Sequence, residues 1–441
     1  MPVVLFMLLF SCLQIAYLDR DILRMRNLMT MKALDAAKIV YGYGFNTETT
    51  LKELATSNDR STVSSQFPLF TSYFQGDETY ADTMIMNAFS KISPFVAASE
   101  SQISEIVTRT LQSMVMYMAS LQELFDANDS CQSDPDYALT HWERGVAALI
   151  GSMGGSRSAG NDYGQLMFAL SNELCNDYQK CQKDGSGDSI VNKYLMDLLI
   201  TGVEKIKSGN CDTLLLVDSY TLEGLLKITL IQGTLHFAAM NGFVDRSEEK
   251  LAVGHVMFSS INPLISSVDT GLASTIEDNM KFDNNMQGTV DVIAVFHAMA
   301  NALEGLDVDC ADIGDHTGVD GGDLCNLKIV LPPPTTLSSP APMASLTPAS
   351  MISIPESTPM ASPAPVPTIS ESGPISVASP TPVPINLTSG PTPLPVREVK
   401  NPTLFTTSPP TPPFENKYID PSTDTNIANG LYITTTFVED R

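Results

Sequence analysis

Basic residues are scarce in this chain. Its 441 residues include 25 Lys and Arg against 50 Asp and Glu, a formal charge of −25. A field of that sign repels nucleic acid and anionic lipid and attracts cations, which disfavours nucleic-acid binding. Proline is nearly missing from the first three quarters: 24 of 29 prolines lie between Pro332 and Pro421, leaving about 330 residues to build a core. That length suffices for a large apolar interior in one or two compact units. No two cysteines are spaced C-x2-C, which argues against a zinc ribbon or a thioredoxin-like redox motif. No H-E-x-x-H occurs, and the glycine loop GSMGGSRSAG, Gly151 to Gly160, matches neither a dinucleotide fingerprint, nor a P-loop, nor a nucleophile elbow. The chain is expected not to be an enzyme. Period-two runs bounded by turn residues are also missing before residue 330, so a sheet is not expected.

Helical periodicity fills that space. From Ser99 to Asp126 the residues Ile103, Ile106, Val107, Leu111, Met114, Val115, Met118, Leu121 and Leu124 recur at three- and four-residue steps, and Ser99 with Gln102 forms a capping box. Ser189 opens a helix that runs to Ile206 and stops at Gly209. Further helices are predicted from Thr221 to Met240, Ser247 to Ile261 before Asn262-Pro263, and Val290 to Leu306. The Thr221 helix is apolar on nearly every face and is expected at the centre. The sharpest break is KDGSGDS, Lys183 to Ser189. The predicted class is all-α: two packed helical bundles, 19–185 and 186–330, stapled by disulfides.

Both ends differ in kind. The run VVLFMLLFSCLQIAYL, Val3 to Leu18, suits a signal peptide over 1–18 cut near Ala16 or Tyr17. Residues 331–413 are rich in Pro, Ser, Thr and Ala, a composition that cannot bury enough apolar surface to fold and that suits an O-glycosylated stalk. A polar tail follows over 414–441. N-glycosylation sequons stand at Asn128 and Asn386. Once a leader takes Cys12 away, Cys131, Cys175, Cys181, Cys211, Cys310 and Cys325 remain, an even number that reads as three disulfides in an exported chain. Six cysteines allow 15 pairings. Proximity suggests Cys175 with Cys181 and Cys310 with Cys325, leaving Cys131 with Cys211. The expected location is secreted, periplasmic or at the cell surface.

The stretch from His141 to Cys181 joins W-x-x-G-V-A, a G-S followed by a glycine loop, a short apolar helix and C-x5-C. With TLEGLLKITLIQGTLHFAAM, VFHAMANALEGLDVDCADIGD and, more weakly, ALDAAKIVYGYGFNTETTLKELATS, it resembles the algal iron-assimilating, low-iron-inducible periplasmic proteins related to phytotransferrins. The resemblance covers roughly residues 33 to 325. It implies extracellular handling of ferric iron, with a synergistic anion and a membrane iron transporter or cell-wall component as partner. The chain departs from that pattern at Arg144, Leu149, Gly154, His236 and Phe237.

Ferric iron is a hard cation that takes carboxylate, phenolate and imidazole ligands. The candidate donors are His141, Glu143, His236, Tyr41 and Tyr43. His141 and Glu143, two residues apart, point about 200° apart on a helix, so one ion can use only one of them. His236, His255 and His297 lie on three apolar helices that a bundle could bring together. The loop LDVDCADIGDHTGVDGGDLC, Leu306 to Cys325, carries six aspartates without the spacing of an EF-hand. The departures favour a rival reading, a structural or adhesive cell-surface glycoprotein that keeps the helical scaffold without a metal site.

Overall fold

The computed structural model describes residues 12–57, 65–157, 163–244, 247–282, 290–319 and 323–327. The expected stalk, the polar tail, Asn386 and the first 11 residues of the expected leader lie outside them. Two compact units divide the chain, 1–334 and 335–441, and only the first contains described residues.

Helices carry the body. They are α1 (Leu18–Thr30), α2 (Leu34–Tyr43), α3 (Leu51–Thr56), α4 (Phe67–Tyr73), α5 (Tyr80–Ser90) and α6 (Glu100–Thr110). A π-helical segment, Leu111–Met116, joins α6 to α7 (Tyr117–Ser130) in one unbroken rod. Then come α8 (Pro135–Ile150), α9 (Met167–Leu174), α10 (Ile190–Ser208), α11 (Leu222–Ala239), α12 (Glu248–Val268), α13 (Thr270–Met280), α14 (Val292–Ala302) and the single turn α15 (Cys310–Ile313). A two-residue hairpin, Leu216–Val217 with Tyr220–Thr221, is the one sheet among the described residues.

Local chemistry explains the ends of these rods. Ser99 and Gln102 cap α6 reciprocally, as the sequence predicts. Gly209 closes α10 at φ +71°, a left-handed conformation that costs glycine nothing. Two predicted ends are corrected. α12 does not stop before Asn262-Pro263 but runs on to Val268. A proline inside a helix costs about 3 kcal/mol; here buried Leu264 and Ile265 offset it, as does the Asn262 amide, which donates to the Ala273 carbonyl and the Tyr73 hydroxyl. At the other, α14 ends at Ala302, and turns carry the chain through Leu306.

The division into two bundles at 185/186 is also corrected. α6 packs along α12, and α11 packs on α9, so helices from either side of KDGSGDS share one apolar core. α11 is central, as expected: 14 of its 18 residues are buried, on every face. α12 is long and apolar enough to cross a membrane, yet its apolar residues fill this same core.

Residues 12–18, assigned from the sequence to a leader, pack in the body. Ile15, Ala16 and Leu18 are buried, and the Ala16 carbonyl accepts the Ser152 N–H at 3.0 Å. Two wholly buried carboxylates follow them. Asp19 accepts from the Ser152 hydroxyl and the Met153 N–H, fixing the glycine loop. Asp21 accepts from the N–H groups of Phe45 and Asn46, the Asn46 amide and the Thr47 hydroxyl, fixing the α2–α3 loop.

The three disulfides are Cys131–Cys211, Cys175–Cys181 and Cys310–Cys325. Cys12 keeps its thiol, which burial and the neighbouring Glu143 push up to about 12.

Candidate metal centre

In the stretch from His141 to Cys181, Trp142 and Gly145 serve the packing of α8. Trp142 is wholly buried on α8; its indole N–H donates to the Leu199 carbonyl at 3.0 Å, and its ring lies against Gly202 of α10. Gly145 lets α8 close on Leu124 of α7, since a Cβ there would stand 2.5 Å from Leu124 Cγ. The departures from the family pattern have structural places too. Arg144 pairs with Glu123 at 2.6 Å, while Leu149 and Phe237 lie in the core. Gly154 has no room for a side chain, because its Cβ would fall 1.9 Å from the Ile150 carbonyl oxygen.

The five nominated ligands do not converge. His141 Nδ1 lies 2.7 Å from Glu123 Oε2 without hydrogen-bond alignment, and its ring packs on Tyr137. Glu143 accepts the Cys12 thiol at 3.4 Å. Tyr41 is buried and donates to Asp82 at 2.6 Å; burial first, and that carboxylate second, push its phenol far above the ordinary value, against a phenolate. Tyr43 is 81% exposed on the surface. The three core histidines do not meet either. No ring contact or hydrogen bond joins His236, His255 and His297 among the described residues.

His236 instead finds a partner that the sequence did not suggest. Two disulfide-closed loops, Cys175–Cys181 and Cys310–Cys325, frame the site beside α11. The Tyr178 hydroxyl donates to the Gln232 carbonyl, the Gln232 amide to the Ile313 carbonyl, and the Thr317 N–H to the Asp177 carbonyl. Gly314, at φ +84°, passes so close to the Tyr178 carbonyl that a side chain would clash. These bonds hold the acidic loop down and set His316 Nε2 3.4 Å from His236 Nδ1. His236 Nδ1 also lies 3.4 Å from Asp177 Oδ2.

The tautomers follow from the partners. His316 Nδ1 accepts the Gly318 N–H at 3.1 Å, so its proton sits on Nε2 and points to His236. Burial lowers both imidazoles, His316 to about 4 with help from His236; for His236 the nearby Asp177 and Glu173 carboxylates work against that lowering. Protonation of His236 at Nδ1 would exchange the bond from His316 for one to Asp177. Behind the pair stands an ion network: Arg109 grips Glu173 through both terminal nitrogens at 3.0 and 3.1 Å, and Glu105 links Arg109 to Arg26.

This donor set does not fit a ferric ion as it stands. Two imidazoles and one carboxylate line up in sequence rather than around a common point. Among the described residues, only Asp309, Cys310 and Cys325 bring three donor atoms within 4.8 Å of one another, and two of those atoms are the sulfurs of a disulfide. Asn128, the described sequon, is half-exposed on the last turn of α7.

Comparison with protein-family models, with characterised proteins and with solved structures finds no match to this chain.

Proposed function

We propose that this chain is an exported cell-surface glycoprotein whose disulfide-stapled helical head serves as a structural or adhesive scaffold without a built ferric site. One observation carries the reading: His141, Glu143, His236, Tyr41 and Tyr43 fall in separate places, each bound to a different protein partner or exposed. Three disulfides support export, since such bonds form and persist in oxidising compartments. In this reading the Pro/Ser/Thr-rich segment spaces the head from its attachment, and Asn128 and Asn386 carry glycans. Mass spectrometry of the chain from its native source, before and after N-glycosidase treatment and with thiol labelling, tests it. Export predicts a glycan mass loss and no labelling at the six paired cysteines; six labelled cysteines and an unchanged mass would contradict it.

A second reading, ferric-iron assimilation with delivery to a membrane transporter, is favoured by one feature, the His236, His316 and Asp177 group. It requires these side chains to rearrange around an ion.

A further inference from the structure

A cleft of about 540 Å³ opens where α4 and α5 meet α12 and α13, and it shares no lining residue with the histidine pair. Its walls are aromatic. The rings of Phe74 and Tyr80 stack 5.0 Å apart and within 5° of parallel. Phe95, Phe258 and Phe282 stand edge-on to His255, with centroids 5.6, 5.2 and 6.1 Å away. Cavities of this size with apolar walls and a few placed polar groups are the usual form of small-molecule sites.

His255 is one of the buried polar residues in the lining of the cleft. It is only 8% exposed. Its Nδ1 accepts the Phe282 N–H at 3.0 Å, so in the neutral ring the proton belongs to Nε2. Burial lowers the imidazole to about 4, which keeps it neutral at ordinary pH. Nε2 has no hydrogen-bond partner among the described residues, although the side chain lines the cleft. Nε2 opens on the cleft with no acceptor from the described residues, so an occupant that supplies one takes the place of solvent there.

The mouth sets the charge. Asp77 is fixed by the Thr79 N–H, the Thr79 hydroxyl and the Thr83 hydroxyl; partial burial works against its charge, but these bonds outweigh it and hold the carboxyl below its ordinary range. Glu277 accepts the Tyr73 hydroxyl at 3.0 Å. The nearby ammonium, Lys281, is engaged by Asp278 at 2.8 Å. Two carboxylates at the entrance repel anions.

We propose that this cleft binds a flat, uncharged aromatic molecule of two or three fused rings bearing a carbonyl or ring-nitrogen acceptor. Its ring lies against the aromatic walls and its acceptor takes the His255 Nε2 proton. This site stands apart from the metal question, and neither reading above depends on it.

Acridone, a fluorescent, uncharged three-ring carbonyl compound, is the probe, titrated into the full chain. Acridine-9-carboxylate, the same ring size with a negative charge, is the comparison. His255→Asn keeps an acceptor for the Phe282 N–H and removes the Nε2 proton. Thr83→Trp, on the exposed rim, fills the mouth without touching the core. The expected result is saturation at one acridone per chain, binding about tenfold weaker for the carboxylate and for His255→Asn, and loss in Thr83→Trp. Absence of saturable acridone binding, equal binding of the carboxylate, or wild-type binding by Thr83→Trp would overturn the proposal. If His255→Asn does not fold, the rim variant and the charged probe still decide.

Discussion

Replacing Gly202 by alanine sets two effects of opposite sign against each other. In a helix interior the change is favourable by about 1 kcal/mol, because alanine orders at a lower entropic cost than glycine. At this position, however, the new methyl group would stand 1.9 Å from Trp142 Cζ2 and 2.4 Å from Cε2, far inside van der Waals contact. The indole has nowhere to go, being wholly buried and tied to the Leu199 carbonyl. Overpacking of this kind costs roughly 1 to 3 kcal/mol, and pulling the indole off Leu199 forfeits about 1 kcal/mol more. The net expectation for Gly202→Ala is a loss of about 1 to 3 kcal/mol. Trp142 is the only tryptophan in the chain, so guanidinium unfolding followed by its fluorescence reads the site directly. A lower midpoint with an unchanged slope, together with a shifted native emission, is predicted. An unchanged or raised midpoint would mean that helix propensity dominates and that the α8–α10 contact is not tight.

Other perturbations test other joints. As pH falls, the unfolded chain protonates its histidines near 6.5, while His255 and His316 stay neutral in the fold until about 4. Their contribution is therefore complete above pH 6.5 and lost as pH falls through 4, about 3 kcal/mol for His255 with a further loss from His316. Asp19, pushed up to about 6 chiefly by burial, works in the opposite sense, restoring about 3 kcal/mol over the same descent. Melts from pH 7.5 to 4.5 should show His255→Asn flattening the decline and Asp19→Asn steepening it; parallel curves would count against both assignments. Replacing Cys131 and Cys211 by serine opens a loop of 80 residues and should cost about 4 kcal/mol, against about 2 for Cys175 and Cys181, which span 6. Equal losses in denaturant midpoints would contradict the loop-entropy account. Asp21→Ala strands the N–H groups of Phe45 and Asn46 and should cost about 3 kcal/mol. Hydrogen exchange should accelerate first at residues 44–50; protection that stays intact there would show that the carboxylate does not hold the loop.

Much of the fold was legible because it is written in local pattern. The cap at Ser99, the stop at Gly209 and the all-round apolar face of α11 each carry a nearest-neighbour signature, and the structure has all three. The π-helical turn at Leu111–Met116 leaves no such mark, since the apolar periodicity runs through it unbroken. The hairpin at 216–221 is too short to show alternation. KDGSGDS read as a boundary because turn residues end helices, but ending a helix does not end a core: the contact of α6 with α12 joins segments about 150 residues apart. The candidate centre fared worse. His316 sits in a run of aspartates without metal-site spacing, and the Gln232, Thr317 and Tyr178 bonds that bring it to His236, 80 residues away, leave no mark in the sequence. His141 and Glu143 were chosen for their chemistry, and nothing in the sequence pointed to Glu123 and Cys12 as the groups that engage them.

Titration of the full chain with ferric nitrilotriacetate, followed by the visible tyrosinate-to-iron band and by iron retained after gel filtration, tests the central claim most directly. A scaffold without a built ferric site predicts no saturable band and no iron retained above that of a protein of equal acidity. Retention of one ion per chain, lost in His236→Ala or His316→Ala, would contradict it and establish that the histidine pair rearranges around iron.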